Sequence, residues 1–109
     1  MQTIKLANSA TTSGALTDQK LDGSGAESYQ AAKTFQATGA TTAGAGSATV
    51  QIEVSNDRVG WITAGTITLT LSTTAATDGF VMSAPWGHVR ANVTAISGTG
   101  ANVTVTMGV

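Results

Sequence analysis

The sequence contains no cysteine, one proline and one histidine, and only 5% of its 109 residues are aromatic. The absence of cysteine excludes disulfide cross-links and thiolate metal ligands. The one histidine, His88, has no second histidine and no carboxylate pair near it at the spacing of a metal site or an acid–base pair. We therefore expect no enzymatic activity, no metal site and no cofactor.

Charged residues are also scarce. Five basic and six acidic side chains make up 10% of the chain, against about 25% in ordinary globular domains. There is no basic stripe of the kind that binds nucleic acid, and no long apolar run or basic amphipathic helix that would bind a membrane. A surface so poor in charge is weakly protected against association. We therefore expect a homo-oligomer whose surface is largely covered by other subunits.

Apolar and small polar residues alternate along much of the sequence. The segments 47–54 (SATVQIEV), 66–71 (TITLTL) and 102–107 (NVTVTM) place an apolar residue at every second position. This period is typical of strands with one buried and one solvated face. With turn signals recurring at short intervals, it predicts an all-β protein: an antiparallel β-sandwich or jelly-roll-like barrel of seven or eight short strands.

The last two predicted strands have matching apolar sets, in segments 88–96 and 101–107. Because a one-residue slip would expose one of these sets, both must face the same core. An antiparallel hairpin that places Val93 opposite Val103, with its turn at Gly98, satisfies this condition and is our prediction.

The first 28 residues differ from the rest of the sequence. Only residues 3–6 suggest a strand, and residues 7–28 contain Leu16 and Leu21 as their only large apolar side chains. Such a segment buries too little surface to order itself. We predict that residues 1–28 form an extended arm, with both leucines as candidate anchors on neighbouring subunits, and that residues 29–109 form the sandwich. The first seven residues, MQTIKLA, lack the pattern of a secretory signal, so we expect none.

Four residues form a candidate binding platform. Trp61 and Trp86 could stack against a sugar, with Arg58 and His88 close to them in the sequence to bind hydroxyl groups. The alternative, which we favour, is that both tryptophans close the ends of a core made largely of alanine and valine.

Arg90 alternates with the apolar residues of segment 88–96, so on a strand its side chain should point away from the core. We expect it to form an ion pair, within the chain or between subunits. The candidate partners are Glu53, Asp57 and Asp78.

Several motifs of the C-terminal part resemble those of one group of proteins. The motifs are SNDRVGW at 55–61, DGF at 78–80, APWGHVRANV at 84–93 and TVTMG at 104–108. With these motifs, the chain resembles the small β-sandwich structural proteins of tailed bacteriophages over roughly residues 47–109. These include capsid decoration (cement) proteins and head–tail or tail accessory proteins.

This resemblance implies a non-enzymatic protein of the virion, assembled in the cytoplasm of the host bacterium, with the major capsid protein or other virion proteins as partners. A cement protein that stabilises the head through symmetric contacts is the leading expectation, and by analogy with symmetric capsid sites a trimer is the favoured homo-oligomer. The alternatives are a tail or head–tail accessory protein and a carbohydrate-binding module carried on the virion.

Overall fold

The computed structural model describes residues 3–16, 18–20, 32–83 and 86–108, and these ranges contain nine strands and no helix. The strands are β1 (Thr3–Ala10), β2 (Gly14–Ala15), β3 (Gln19–Lys20), β4 (Ala32–Ala40), β5 (Ala43–Ser55), β6 (Ile62–Leu71), β7 (Ala76–Ser83), β8 (His88–Thr99) and β9 (Asn102–Gly108). No described segment forms a helix capable of spanning a membrane.

The strands form two antiparallel sheets that pack face to face. The first sheet has the order β1-β9-β4-β7, and the second has the order β2-β8-β5-β6, with β3 also pairing with β8. This arrangement confirms the prediction of an all-β antiparallel sandwich. Consecutive strands lie in different sheets at every step except β2–β3 and β5–β6. Among the long strands of the described chain, β5 and β6 are the one consecutive pair that is hydrogen-bonded within a sheet.

The core lies between the two sheets and consists of the apolar residues that alternate along them. The predicted inward positions of β5 and β6 are buried, as are alternate residues of β8 and β9. Phe35 of β4 is the largest fully buried side chain, and its ring stacks on Phe80 of β7 with centroids 5.4 Å apart. The core includes Val50, Ile52, Val54, Ile67, Leu69, Leu71, Val89, Ala91, Val93, Val103, Val105 and Met107.

The predicted hairpin between the last two strands is wrong. β8 pairs with β5, where Val93 lies opposite Val50, whereas β9 belongs to the other sheet and pairs with β1 and β4. The parity argument required only that both apolar sets face one core. Two strands that face each other across a sandwich meet this requirement as well as two strands paired side by side.

The N-terminal region also differs from the predicted arm in its described part. β1 runs to Ala10 and pairs with β9, and residues 14–16 and 18–20 lie along β8. Leu16 packs against the core of its own chain, so it is not a free anchor. Backbone hydrogen bonds to β8 and β9 hold this segment, which explains how it is ordered with few apolar side chains. Leu21 and the predicted boundary at residues 28 and 29 lie outside the described residues.

The β5–β6 hairpin projects one turn from the end of the second sheet. Glu53 pairs with Thr63 and Ile52 with Gly65, so Ala64 is an extra residue on β6 and forms a bulge. Gly65 allows the ring of Phe80 to lie against the backbone at this point, where a Cβ atom would overlap the ring.

Candidate interaction site at the β5–β6 turn

The turn at residues 56–60 is held by two side-chain oxygens. Ser55 Oγ accepts hydrogen bonds from the backbone N–H groups of Asp57 (3.2 Å) and Arg58 (2.9 Å). It donates one to Asp57 Oδ1 (3.0 Å), which also accepts the N–H groups of Val59 and Gly60, both at 2.9 Å. Serine and aspartate are suited to this role because their short side chains replace backbone partners in turns. Five hydrogen bonds within the turn therefore stabilise this conformation.

This bonding has two consequences. The pKa of Asp57 lies below its ordinary value of 3.8. The main causes are the hydrogen bonds that its carboxylate accepts from the N–H groups of Val59 and Gly60, and the hydrogen bond from the Ser55 hydroxyl has a smaller effect. The turn also places Arg58 in the left-handed region (φ 63°), where residues other than glycine are uncommon. Val59, at the tip, is left 85% exposed. A strained turn that presents an exposed apolar side chain is a feature associated with function.

Behind the turn, an ion pair lies on the outer face of the second sheet. Glu53 of β5 and Arg90 of β8 are directly opposite each other, and Arg90 Nε donates to Glu53 Oε1 at 2.8 Å. Asn92 Nδ2 donates to the other oxygen of Glu53 at 3.3 Å. The Arg90 guanidinium also stacks over the ring of Trp61, 4.1 Å from its centroid. The predicted ion pair of Arg90 is confirmed, with Glu53 as the partner.

A second charged group joins the N-terminal segment to the turn. Arg58 Nη2 donates a hydrogen bond to Asp18 Oδ1 at 2.9 Å, and Arg58 Nε lies 2.9 Å from Asp18 Oδ2, so the two side chains form an ion pair. His88 Nδ1 lies 3.4 Å from Asp18 Oδ2 but makes no hydrogen bond with the described residues. Asp18 is brought here because β3, which follows it, pairs with His88 and Val89 of β8. The hydrogen bond from Arg58 is the main cause that lowers the pKa of Asp18 from 3.8.

The structure divides the four residues of the predicted platform. Arg58 and His88 both lie against Asp18, whereas Trp61 stacks on Arg90. Trp86 packs against the apolar core. For Trp86 this agrees with the alternative interpretation, in which the indole closes one end of the core.

Three residues of this region were not predicted from the sequence. Asp18 lies in a segment whose composition gave no sign that it would pair with β8. Asn92 is an asparagine in a strand, and nothing in the sequence around it indicates that its side chain binds Glu53. Val59 lies in the turn between Arg58 and Gly60, and an apolar residue at such a position is a signal that could have identified it.

These side chains form one site at the end of the second sheet, and the site contains four of the eleven charged residues of the chain, Asp18, Glu53, Arg58 and Arg90. Among the described residues, no group of three or more acidic or histidine side chains could hold a metal ion. The charges are neutralised in pairs beside exposed apolar side chains, a composition suited to recognition of a surface. We name this set the turn-end patch: Asp18, Glu53, Arg58, Val59, Trp61, Ile62, His88 and Arg90.

Comparisons with known proteins give one structural likeness. No protein-family model matches the chain, and no curated protein matches it. Its fold is similar to that in the crystal structure of the PBSX exported protein XepA, with a TM-score of 0.54 and 12% sequence identity. The match covers 98% of this chain and 36% of the XepA chain, so this chain spans about a third of that protein. At this identity the likeness concerns the fold.

Proposed function

We propose that this protein is a non-enzymatic structural component of tailed-bacteriophage particles, and specifically a decoration (cement) protein of the capsid. It is assembled in the host cytoplasm and binds the major capsid protein or another virion protein through the turn-end patch. Two lines of argument support a phage role. The motifs of residues 55–108 resemble those of phage structural proteins, and the fold is similar to that of XepA, a phage-related protein.

The observation that carries the proposal is the construction of the turn. In a chain with few charged residues, a buried serine and an aspartate fix a strained turn that projects Val59 into solvent. Ile62, at the start of β6, is 53% exposed close to it in the chain. Preorganisation of an apolar tip lowers the entropic cost of binding.

The paired charges around the tip suit a specific protein surface. Arg and Trp are enriched at the centres of protein interfaces, and paired charges at a rim set orientation without a large cost of desolvation. Each contact of one small domain is weak. Repetition of the same contact by particle symmetry gives a large total stabilisation of the shell, because attachment of every copy resists separation of the capsid subunits.

The test compares two exposed valines. Val59→Ser alters the tip of the turn, whereas Val81→Ser alters β7, where the side chain is 67% exposed. Both substitutions make the same chemical change at an exposed valine and should leave the stability nearly unchanged. Binding of each purified variant to phage particles that lack the protein is measured by co-sedimentation.

We expect Val59→Ser to lower the affinity about tenfold, which corresponds to about 1.4 kcal/mol, and Val81→Ser to bind like the unmodified protein. Equal binding by all three proteins would refute a docking role for the turn. Failure of the unmodified protein to bind the particles would refute the cement function.

The second candidate is a carbohydrate-binding module carried on the virion. One observation favours it: Trp61 lies outside the core, partly exposed, with its ring orientation fixed by Arg90. Such a fixed indole can stack on a sugar ring. Calorimetric titration with bacterial surface polysaccharides would show saturable binding that is lost in Trp61→Ala. Absence of binding to the unmodified protein would remove this alternative.

A further inference from the structure

The four outer edges of the two sheets are protected to different degrees. A sheet edge presents unpaired backbone N–H and C=O groups, and proteins usually block such edges with charges, bulges, prolines or very short strands. β1 has two register irregularities, an exposed Lys5 and a positive φ at Ser9 (52°). β2 and β3, at one edge of the second sheet, have two residues each. These edges are poor templates for another strand.

β7 and β6 form the two remaining edges. β7 carries the charged Asp78 followed by Gly79, which weakens a strand. β6 has ten residues with no charge and no proline. From Gly65 to Leu71 it pairs with β5 in unbroken register, and no described strand pairs with its other side. β6 is therefore the least protected edge of the described structure.

The sequence of β6 is complementary to itself. Thr66, Thr68 and Thr70 are exposed on the outer face, and the apolar residues between them are buried. Consider a two-fold axis, perpendicular to the sheet, that places one residue of this segment opposite the same residue of a second copy. Every other residue then lies opposite a residue whose number differs from its own by an even amount, so opposed side chains lie on the same face. Threonine then faces threonine on the outer side, and the core-facing residues remain on the inner side. No like charges oppose each other, and cross-strand threonine pairs are favourable.

We propose that the free edge of β6 pairs antiparallel with β6 of a second copy of this chain, around a two-fold axis, so that the second sheets of the two copies become one continuous sheet. The pairing satisfies the free backbone groups of both edges. It is closed, because the two-fold axis uses the same edge of both copies and leaves none for a third. The proposed assembly is therefore a dimer and differs from the trimer expected from the sequence. The inference is independent of the phage function, since it rests on the edge alone.

The experiment introduces one charge at the proposed interface. Thr68→Lys places a lysine on the outer face of β6, near the lysine of the second copy. Thr49→Lys is the matched control, because Thr49 lies directly opposite Thr68 on β5 and faces the same side but is one strand further from the edge. The mass of the full-length protein and of each variant is measured over a range of concentrations by analytical ultracentrifugation, with circular dichroism to check folding.

We expect the unmodified protein to form a dimer, Thr68→Lys to raise the dimer dissociation constant about tenfold or more, and Thr49→Lys to change it less than about twofold. If Thr68→Lys fails to fold, Thr70→Lys provides the same charge at the next outward position. A monomer at all concentrations, or a trimer, would overturn the proposal.

Hydrogen exchange gives a readout that depends on the location of the interface. In the monomer, the amides of β6 that point away from β5 exchange rapidly, and in the dimer they become protected as the concentration rises. We expect this gain for alternate amides of residues 66–71 and no comparable gain in β7. A dimer whose β6 amides remain unprotected would use another surface and would contradict the proposal.

Discussion

Replacement of Arg90 by methionine tests how the turn-end patch is held. The substitution keeps an unbranched apolar side chain but removes the guanidinium that donates to Glu53 at 2.8 Å. It also removes the cation over the ring of Trp61. The side chain of Glu53 is 11% exposed, so its carboxylate would remain largely desolvated with Asn92 as its remaining described side-chain partner.

The expected magnitude follows from this burial. Loss of one partner of a fully buried ion pair costs about 3–5 kcal/mol. Because Arg90 is 24% exposed and Asn92 still donates to Glu53, we expect a cost of about 2–3 kcal/mol for Arg90→Met. Glu53→Gln keeps the shape and one acceptor and should cost about 1–2 kcal/mol. The double variant should be more stable than the sum of the two costs predicts, by about 1–2 kcal/mol.

Urea denaturation followed by circular dichroism measures these differences. Lys5→Met is the control, since Lys5 is an exposed cation on β1, and its effect should stay within about 0.5 kcal/mol. Additive costs for the two substitutions, or a cost for Arg90→Met no larger than that for Lys5→Met, would refute the argument that this pair stabilises the patch.

Three further predictions concern the pH dependence, the bulge and the N-terminal strand. The folded-state pKa values of Asp18 and Asp57 lie below 3.8, so their contribution to stability is present above pH 3.8 and is lost as the pH falls through the lowered values. When the melting temperature is measured as a function of pH, it should fall less below pH 3.8 in Asp18→Asn than in the unmodified protein. An equal fall in both proteins would contradict this prediction. Gly65→Ala should cost about 1–3 kcal/mol in urea denaturation, because the added methyl group would overlap the ring of Phe80, and a neutral result would show that the ring moves freely. Deletion of residues 1–10 should destabilise or unfold the domain in a thermal melt, because it removes the strand paired with β9, whereas an unchanged melting temperature would show that β1 is dispensable.

The alternation of the sequence predicted the individual strands well but not the way they pair. The inward residues of β5 and β6, such as Val50 and Ile67, were predicted because burial of one face imposes a period of two. The same signal in β8 and β9 does not distinguish neighbours within a sheet from strands that face each other across the core. Pairing depends on the path of the connections, which alternation does not record.

The candidate site was predictable where it depends on strand parity. Arg90 had to point away from the core, and Glu53 was among its possible partners. The contact between Arg58 and Asp18 spans forty residues of the chain and depends on β3 pairing with β8 through its backbone. Backbone pairing has little sequence signature in a segment rich in Ala, Ser, Thr and Gly, so this part of the site could not be predicted.

Quantitative mass spectrometry of purified phage particles, from the bacterium that carries this gene, tests the central claim most directly. A cement protein is a constituent of the particle, present in many copies and in a fixed ratio to the major capsid protein, as symmetric attachment requires. We predict that the chain is found in washed particles at such a ratio. Its absence from the particles, or a trace amount without a fixed ratio, would contradict the account.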